Sequence, residues 1–179
     1  MMYVKKQVLV WELAGIAFIC LLGNLLHFTF DWLGRWMPAA AICPVNESVW
    51  EHLKMGYWPA VLFSFVEYPF IRRYVNNFLA AKASAIYLPP LLIVVLYYSY
   101  TAIIGHHLLA ADIIIFILAV AAGQLASYAI LLCRKLGTAI QAVSLAAIIL
   151  LGTAFIIFTF YPIHLSIFRD PANGKYGVW

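Results

Sequence analysis

Long apolar runs constrain what this chain can fold into more than any other feature of its sequence. A helix needs about 20 apolar residues to cross a hydrocarbon layer roughly 30 Å thick. The runs that meet this length predict helices at residues 8–30, 46–71, 85–104, 109–133 and 138–161. Because 66% of the 179 residues are hydrophobic and only 10% are charged, the chain has too few charged residues to coat a soluble core. The sequence therefore predicts an all-α, polytopic transmembrane bundle with about five membrane-spanning helices.

The predicted helices account for most of the chain, so we expect a single transmembrane domain over residues 1–179. The run 8–30 begins like a signal peptide, but it is longer than the apolar core of such a peptide and lacks a small-residue cleavage site, so we interpret it as a retained helix. Residues 33–45 are expected to form a loop or a surface-lying segment. Pro162 ends the last helix and is expected to turn a polar tail back over the bundle. No internal repeat divides the chain.

Basic residues are distributed unequally between the two sides of the predicted bundle. With five crossings, seven of the 11 Lys and Arg residues fall on the side of the amino terminus, namely Lys5, Lys6, Arg72, Arg73, Lys82, Arg134 and Lys135. Short loops rich in Lys and Arg stay in the cytoplasm, so we expect the N-terminus inside and the C-terminus outside. The net charge of +4 is interpreted in the same way, as a sign of orientation and not of a nucleic-acid partner.

All five histidines fall on the outer side of this predicted topology. His27 is near the end of the first helix and His52 near the start of the second, while His106 and His107 form the hairpin between the third and fourth, and His164 follows the fifth. Ionisable residues near the hydrocarbon are costly and usually face a bundle interior beside a partner, and this applies to His27, His52 and Asp112. We therefore expect these residues to line an outward-facing polar pocket.

The densest polar cluster in the sequence is the run NESVWEHLK at residues 46–54. At about 100° per residue, a helix over this run would place Glu47, Glu51 and His52 on one face. Carboxylate oxygens and imidazole nitrogens are ordinary ligands of Zn²⁺ and similar ions. A carboxylate beside such an ion can also serve as a general base toward water. The run therefore predicts a candidate metal site.

The same run also has a purely structural interpretation. Ser48 and Glu51 fit the capping-box pattern S-x-x-E, and Asn46 is itself a favourable N-cap. In this interpretation these residues only begin the second helix, at or just before Glu47, as a water-facing turn. No cap requires His52, so capping leaves that residue unexplained.

Several other ionisable residues have structural alternatives of the same kind. Glu12 and Glu67 lie near the inner ends of their predicted helices, where ion pairing with basic residues is the favoured role and a proton relay the alternative. His106 and His107 occupy a tight hairpin in which they can simply be solvated. His27 has polar residues one helical turn away on both sides and can be satisfied within its own helix.

Two groups of residues resemble known families. The run PVNESVWEHLK at 44–54, with His27 before it and residues 168–171 and 175–177 near the end, resembles a family of small bacterial membrane proteins defined only as a domain of unknown function. This resemblance covers nearly the whole chain and implies a bacterial cytoplasmic (inner) membrane, but no activity. The Asn-Glu-Ser, Trp and His of the run are also similar to a signature of the progestin and adipoQ receptor family, which belongs with the alkaline ceramidases among zinc-dependent membrane hydrolases. Those proteins have seven crossings rather than five.

The function that these features favour is a metal-dependent membrane hydrolase that binds a divalent metal such as zinc and acts on an amphiphilic or lipid-like substrate in the lipid bilayer. The candidate site residues are the metal ligands His27, His52, His106, His107 and His164, and the catalytic bases Glu47 and Glu51. Two alternatives stay open. The chain is a non-catalytic membrane partner or assembly protein, for a protein partner that the sequence does not identify, or, less favoured, a transporter subunit.

Overall fold

Helices make up nearly all of the structure, a computed structural model that describes residues 2–178. Within that range there are five α-helices and no β-strand, which confirms the predicted all-α bundle. The helices are α1 (Met2–Trp32), α2 (Val49–Ile71), α3 (Phe78–Ile104), α4 (Leu109–Leu132) and α5 (Thr138–Phe160). Short 3-10 helices occur at Met37–Ala41, in the segment between α1 and α2, and at Ser166–Phe168, in the tail.

Four of the helices in the described range, α1, α3, α4 and α5, are long and apolar enough to cross a membrane. The remaining helix, α2, has 23 residues, as many as α5. It differs from these four helices in its ionisable residues, since it buries Glu51, Lys54 and Glu67. Since α2 packs against α1, α3 and α5, these ionisable side chains face protein rather than lipid.

Contacts along α1 and α2 show that the two helices are antiparallel. The rings of Trp11 and Phe70 stack with their centroids 4.7 Å apart. Farther along the pair, a Cβ atom on Gly23 would lie 2.5 Å from the carbonyl oxygen of Met55, so glycine permits the two backbones to approach closely. Because α2 follows α1 over this length, it extends through the same thickness of the bundle as its apolar neighbour.

The end of α1, the start of α2 and the end of α5 lie at the same end of the bundle. Trp50 in the first turn of α2 packs on Phe158 near the end of α5, with ring centroids 5.6 Å apart. Phe116, in the second turn of α4, lies 3.7 Å from where a Cβ on Gly56 would be, which brings the hairpin between α3 and α4 to this end as well. The segments that carry the five histidines therefore share one end of the bundle.

The structural bounds of three helices differ from the predicted ones by more than one residue. α1 begins at Met2 and ends at Trp32, beyond the predicted 8–30, because the polar residues beside the apolar run continue the same helix. α2 begins at Val49 instead of 46, and α3 begins at Phe78 instead of 85. Because α3 begins earlier, Pro89 and Pro90 lie well inside the helix and not in its first turns.

The earlier start of α3 places Lys82 inside the bundle rather than in a polar connection. Its side chain is 2% exposed, and its ammonium group lies 2.7 Å from a carboxylate oxygen of Glu12 and 2.7 Å from one of Glu67. Ion pairing of both carboxylates is therefore confirmed, but the partner is a residue that the sequence interpretation had assigned to a loop. One of the seven basic residues counted for the orientation is thus buried.

The carboxyl-terminal tail folds back over the bundle, as expected from Pro162. Phe168 is buried and packs on Trp50 of α2, with ring centroids 4.9 Å apart. The carbonyl oxygen of Gly177 accepts a hydrogen bond of 3.0 Å from the side-chain amide of Asn46. The tail and the segment between α1 and α2 together cover the end of the bundle at which α2 begins.

Candidate functional site

The polar run before α2 forms a turn followed by an N-cap. The backbone N–H of Ser48 donates to the side-chain oxygen of Asn46 at 2.8 Å, so Asn46 closes a turn and does not cap the helix. Ser48 is the N-cap, and its hydroxyl accepts from the N–H of Glu51 at 3.3 Å. The Glu51 carboxylate does not complete a capping box, since it accepts instead from the N–H of Val45. Glu47 consequently precedes the helix, and the predicted helical face shared by Glu47 and Glu51 does not form.

This turn brings Glu47 to two histidines. Its Oε2 atom lies 3.5 Å from Nε2 of His52, and its Oε1 atom lies 3.9 Å from Nε2 of His27. The two imidazole rings have centroids 5.1 Å apart. Within residues 2–178, these three residues form a group whose candidate ligand atoms all lie within 4.8 Å of one another. The structure therefore brings together two of the five predicted histidine ligands and one of the two predicted carboxylates.

The distances from the two histidines to Glu47, one to each carboxylate oxygen, are longer than direct hydrogen bonds. Hydrogen bonds between nitrogen and oxygen are about 2.7–3.2 Å long. Two atoms that each lie about 2.0–2.2 Å from a tetrahedral Zn²⁺ are about 3.3–3.6 Å apart. The distance of 3.5 Å between His52 and Glu47 falls in the second range, and the 3.9 Å from His27 lies closer to it than to the first.

A backbone contact fixes the orientation of His52. Its Nδ1 atom lies 2.9 Å from the carbonyl oxygen of Ser48. Because a carbonyl oxygen only accepts, Nδ1 carries a proton, and Nε2 is the ring nitrogen that faces Glu47. An Nδ1–H bond to a carbonyl oxygen is the usual support of a histidine that binds metal through Nε2. Nε2 and the Glu47 carboxylate can therefore be joined by a cation, either a metal ion or a proton on Nε2.

The group lies at the surface, next to exposed aromatic residues. His27, His52 and Glu47 have side chains 26%, 34% and 55% exposed. A cavity of about 40 Å³ adjoins two of the three residues, and it is lined by His27, Phe30, Asp31, Pro44, Val45, Asn46 and Glu47. Phe28 and Trp32, in the last two turns of α1, are exposed. Exposed tryptophan is typical of the boundary between hydrocarbon and water, so we expect the site to lie at the membrane surface.

Glu51 lies in a buried ion pair and is not part of the group. Its Oε2 atom is 2.6 Å from Nζ of Lys54, whose side chain is fully buried. The ammonium group also donates to the carbonyl oxygen of Ala40 at 2.9 Å and to the hydroxyl of Thr159 at 3.0 Å. This pair therefore attaches α5 and the segment before α2 to the turn behind His52. The spacing of Glu51 and Lys54 along a helix could have indicated the pair, but nothing in the sequence indicates Thr159.

The other predicted ligands lie in separate contacts. Nδ1 of His107 is 3.3 Å from a carboxylate oxygen of Asp112, at the start of α4. The ring of His164 packs on Tyr176 within the tail, with centroids 4.6 Å apart. His106 is exposed in the hairpin. In the part of the chain that the structure describes, none of these three histidines belongs to the group formed by Glu47.

A protein-family model matches almost the entire chain. Its description is "Family of unknown function (DUF6512)", and the match covers residues 1–178. No curated protein and no solved structure matches the chain. The resemblance to a family without a known function, expected from the sequence, is thereby confirmed.

Proposed function

The chain belongs to this family of unknown function, and from the geometry of the site we propose that it is a membrane protein that binds a divalent metal ion through His27, Glu47 and His52. The orientation of His52 carries the proposal. Its Nδ1 atom is held by the carbonyl oxygen of Ser48, so Nε2 faces the carboxylate of Glu47. Two nitrogen atoms and one carboxylate are a ligand set that zinc accepts.

A proton on His52 is the alternative to a metal ion. An imidazolium group would donate from Nε2 to Glu47, and the two atoms would then approach to about 2.7–2.9 Å, as charge-assisted hydrogen bonds do. The distance is 3.5 Å, and His27 stands at 3.9 Å from the same carboxylate. This spacing supports an ion at the centre of the three residues over a proton shared by two of them.

Metal content tests this proposal directly. The full chain, purified in detergent, is equilibrated with Zn²⁺, freed of excess ion and analysed for its elements. We expect about one ion per chain, with an affinity more than about 100-fold lower in His52→Ala, His27→Ala and Glu47→Gln, since each variant removes a ligand. His106→Ala and His164→Ala are the matched controls and should retain the ion. Less than stoichiometric metal in the unaltered protein, or equal loss in the His164 control, would refute the site.

Hydrolysis of an amphiphilic substrate is the second candidate function, and the number of ligands favours it. Catalytic zinc sites use three protein ligands and leave a further position for water or substrate, and an ion held there supplies Lewis-acid activation of water. With Glu47 as a ligand, the base is Asp31, a carboxylate that lines the same cavity. The position at the membrane boundary suits substrates with one polar and one apolar end.

An Asp31→Asn variant separates catalysis from metal binding. The metal-loaded protein in detergent micelles is assayed with amphiphilic esters, amides and phosphoesters. We expect the variant to retain its ion and to lose activity by about 100-fold or more, because a positioned general base contributes about 10²–10⁴. A metal-loaded protein that hydrolyses none of the three classes would contradict the hydrolase and favour a non-catalytic metal-binding partner protein.

A further inference from the structure

A second polar cluster lies inside the bundle, toward the end opposite the histidines. Along α1 it is 15 residues from His27 to Glu12, which corresponds to about 22 Å. Glu12, Glu67 and Lys82 come from α1, α2 and α3, and all three side chains are at most 2% exposed. From α4, the hydroxyl of Ser127 donates to Oε1 of Glu12 at 3.0 Å. Four helices thus enclose two carboxyl groups and one ammonium group.

The charges in this cluster do not balance. If both carboxyl groups are ionised, the lysine leaves a net charge of −1 inside the membrane-spanning part of the bundle. Within the described residues the buried lysines are Lys54 and Lys82, and Lys54 is paired with Glu51. The remaining basic side chains at this end are exposed, namely Lys5, Lys6, Arg72, Arg73, Arg134 and Lys135. Helix α4, which faces the cluster, contributes only neutral groups there, and α5 has no charged residue. No neighbouring helix therefore supplies a compensating cation.

Hydrogen-bond donors are also too few in this cluster. Among the residues that the structure describes, Oε2 of Glu12, Oε1 of Glu67 and Oε1 of Gln124 are buried without a hydrogen-bond partner. A Cβ atom on Gly15 would lie 3.3 Å from Cδ of Gln124, so this amide faces α1 one turn from Glu12. Three buried acceptors without donors are costly, and a proton on one carboxyl group would supply a donor.

We propose that Glu12, Glu67 and Lys82 form a proton-binding site within the membrane, in which the two carboxylates share one proton. The ammonium group lies 2.7 Å from each carboxyl group, so both carboxyl groups converge on one point. When two carboxyl groups lie close together in a protein, the charge of the first opposes ionisation of the second. The two groups therefore titrate as a unit. One bound proton makes the cluster electrically neutral and adds the missing donor.

A large cavity gives the proton a path of exchange. It has a volume of about 450 Å³ and lies between α2, α3 and α5, with Lys82 in its wall. Its polar lining residues also include Arg72 and Asn76, in the connection after α2, and Gln141 near the start of α5. Proton exchange therefore occurs with the side of the membrane on which α2 ends and α3 begins.

Infrared spectroscopy of the full chain in detergent tests the bound proton, because a protonated carboxyl group has a carbonyl stretching band that a carboxylate lacks. At pH 7 we expect the unaltered protein to show one such band more than Glu12→Gln or Glu67→Gln, since either variant leaves one carboxylate balanced by the lysine. Glu47→Gln is the matched control at an exposed carboxylate and should leave this band unchanged. Difference spectra in which neither variant loses the band would overturn the proposal.

Replacing the lysine gives a second, opposite expectation. In Lys82→Met both carboxyl groups are left without a cation, so both should be protonated and the band should about double. If this variant does not fold, the two glutamine variants, which keep the shape of the side chains, still decide the question. A band that is absent in Na⁺ buffer and appears when Na⁺ is removed would show that the site holds a metal cation instead, and would also overturn the proposal.

Discussion

Removing one partner of the buried ion pair behind the candidate metal site should destabilise the protein strongly. The Lys54 side chain is fully buried, and its ammonium group has three acceptors, on Glu51, Ala40 and Thr159. Lys54→Met leaves the Glu51 carboxylate ionised, buried and without its counter-ion. Glu51→Gln likewise leaves the Lys54 ammonium group charged, buried and without its counter-ion. Two of its three acceptors are unchanged, and a neutral amide replaces the carboxylate.

The expected cost follows from what remains buried in each variant. Breaking a buried pair by removing one partner costs about 3–5 kcal/mol, because an uncompensated charge stays in the interior. Replacing both partners removes both charges, and such replacements are often close to neutral. In the double variant, the amide of a glutamine at position 51 can still accept from the N–H of Val45, as the carboxylate of Glu51 does. We therefore expect the double variant to lose only about 1–2 kcal/mol, less than either single variant.

Thermal unfolding in detergent measures these differences. For a chain of this length, 1 kcal/mol corresponds to about 2–4 °C in the melting temperature. Each single variant should then melt about 6–20 °C below the unaltered protein, and the double variant less than about 8 °C below it. Lys135→Met is the matched control, because it removes an exposed lysine and should shift melting by no more than about 2 °C.

The double variant also decides whether the reasoning holds. If its loss equals the sum of the two single losses, the two residues are not coupled and the buried charge is not the cause. The ion pair also attaches Val45 and the segment before α2 to the turn that carries Glu47. Zn²⁺ binding should therefore weaken in Lys54→Met and recover in part in the double variant, although neither residue is a ligand.

Three further predictions concern packing, thiol reactivity and topology. Gly23→Ala should cost about 1–3 kcal/mol in unfolding measurements, since the added Cβ would lie 2.5 Å from the carbonyl oxygen of Met55. Gly137→Ala, with no atom within 4 Å, should be tolerated, and equal losses would refute this packing. Cys43 is 3% exposed, and burial raises the pKa of its thiol, so with the other two cysteines replaced by serine it should resist maleimide until the protein unfolds. Labelling of the native protein, measured by mass spectrometry, would contradict its burial. Reporter fusions after Lys135 should read cytoplasmic and fusions at the carboxyl terminus extracytoplasmic, and the reverse would invalidate the orientation.

The helices were predictable because the thickness of a membrane imposes a minimum length on apolar runs. α4, predicted at 109–133, ends one residue earlier at Leu132, and α5, predicted at 138–161, ends one residue earlier at Phe160. A turn that contains glycine or basic residues borders the apolar run of each of these two helices. The polar, basic and glycine residues that end an apolar run are also those that end a helix. The end of the run therefore predicts both the limit of the membrane span and the limit of the helix.

The start of α3 was not predictable from its prolines. Pro89 removes the backbone donor to the carbonyl oxygen of Ala85, which normally interrupts a helix. In the structure Gly123 of α4 packs against this place, where an added Cβ would lie 2.9 Å from the Ala85 oxygen and 2.8 Å from the proline ring. The helix therefore continues because a neighbouring helix without a side chain fits the proline, and this neighbour is 34 residues away in the sequence.

The candidate metal site was predictable in its residue types but not in its membership. Asn46 and Ser48 are both favourable N-cap residues, and only the hydrogen-bond donors around them decide which one caps α2. The actual N-cap is Ser48, so Glu47 lies outside the helix and faces His27 of α1 as well as His52. The separation of His164 from this group likewise depends on how the tail packs, through contacts of its ring with Tyr176.

Helix α2 connects the two proposed sites. This role accounts for the presence of one helix with several charged residues in a chain so rich in apolar residues. It carries His52, Glu51 and Lys54 near its start and Glu67 near its end. His52 and Glu67 are 15 residues apart, or about 22 Å along the helix. Charged side chains at both ends would be too costly in a helix that faces lipid, and they are sustained here because α1, α3 and α5 enclose α2. The apolar helices therefore act as the enclosure, and both proposed sites lie where these helices meet α2.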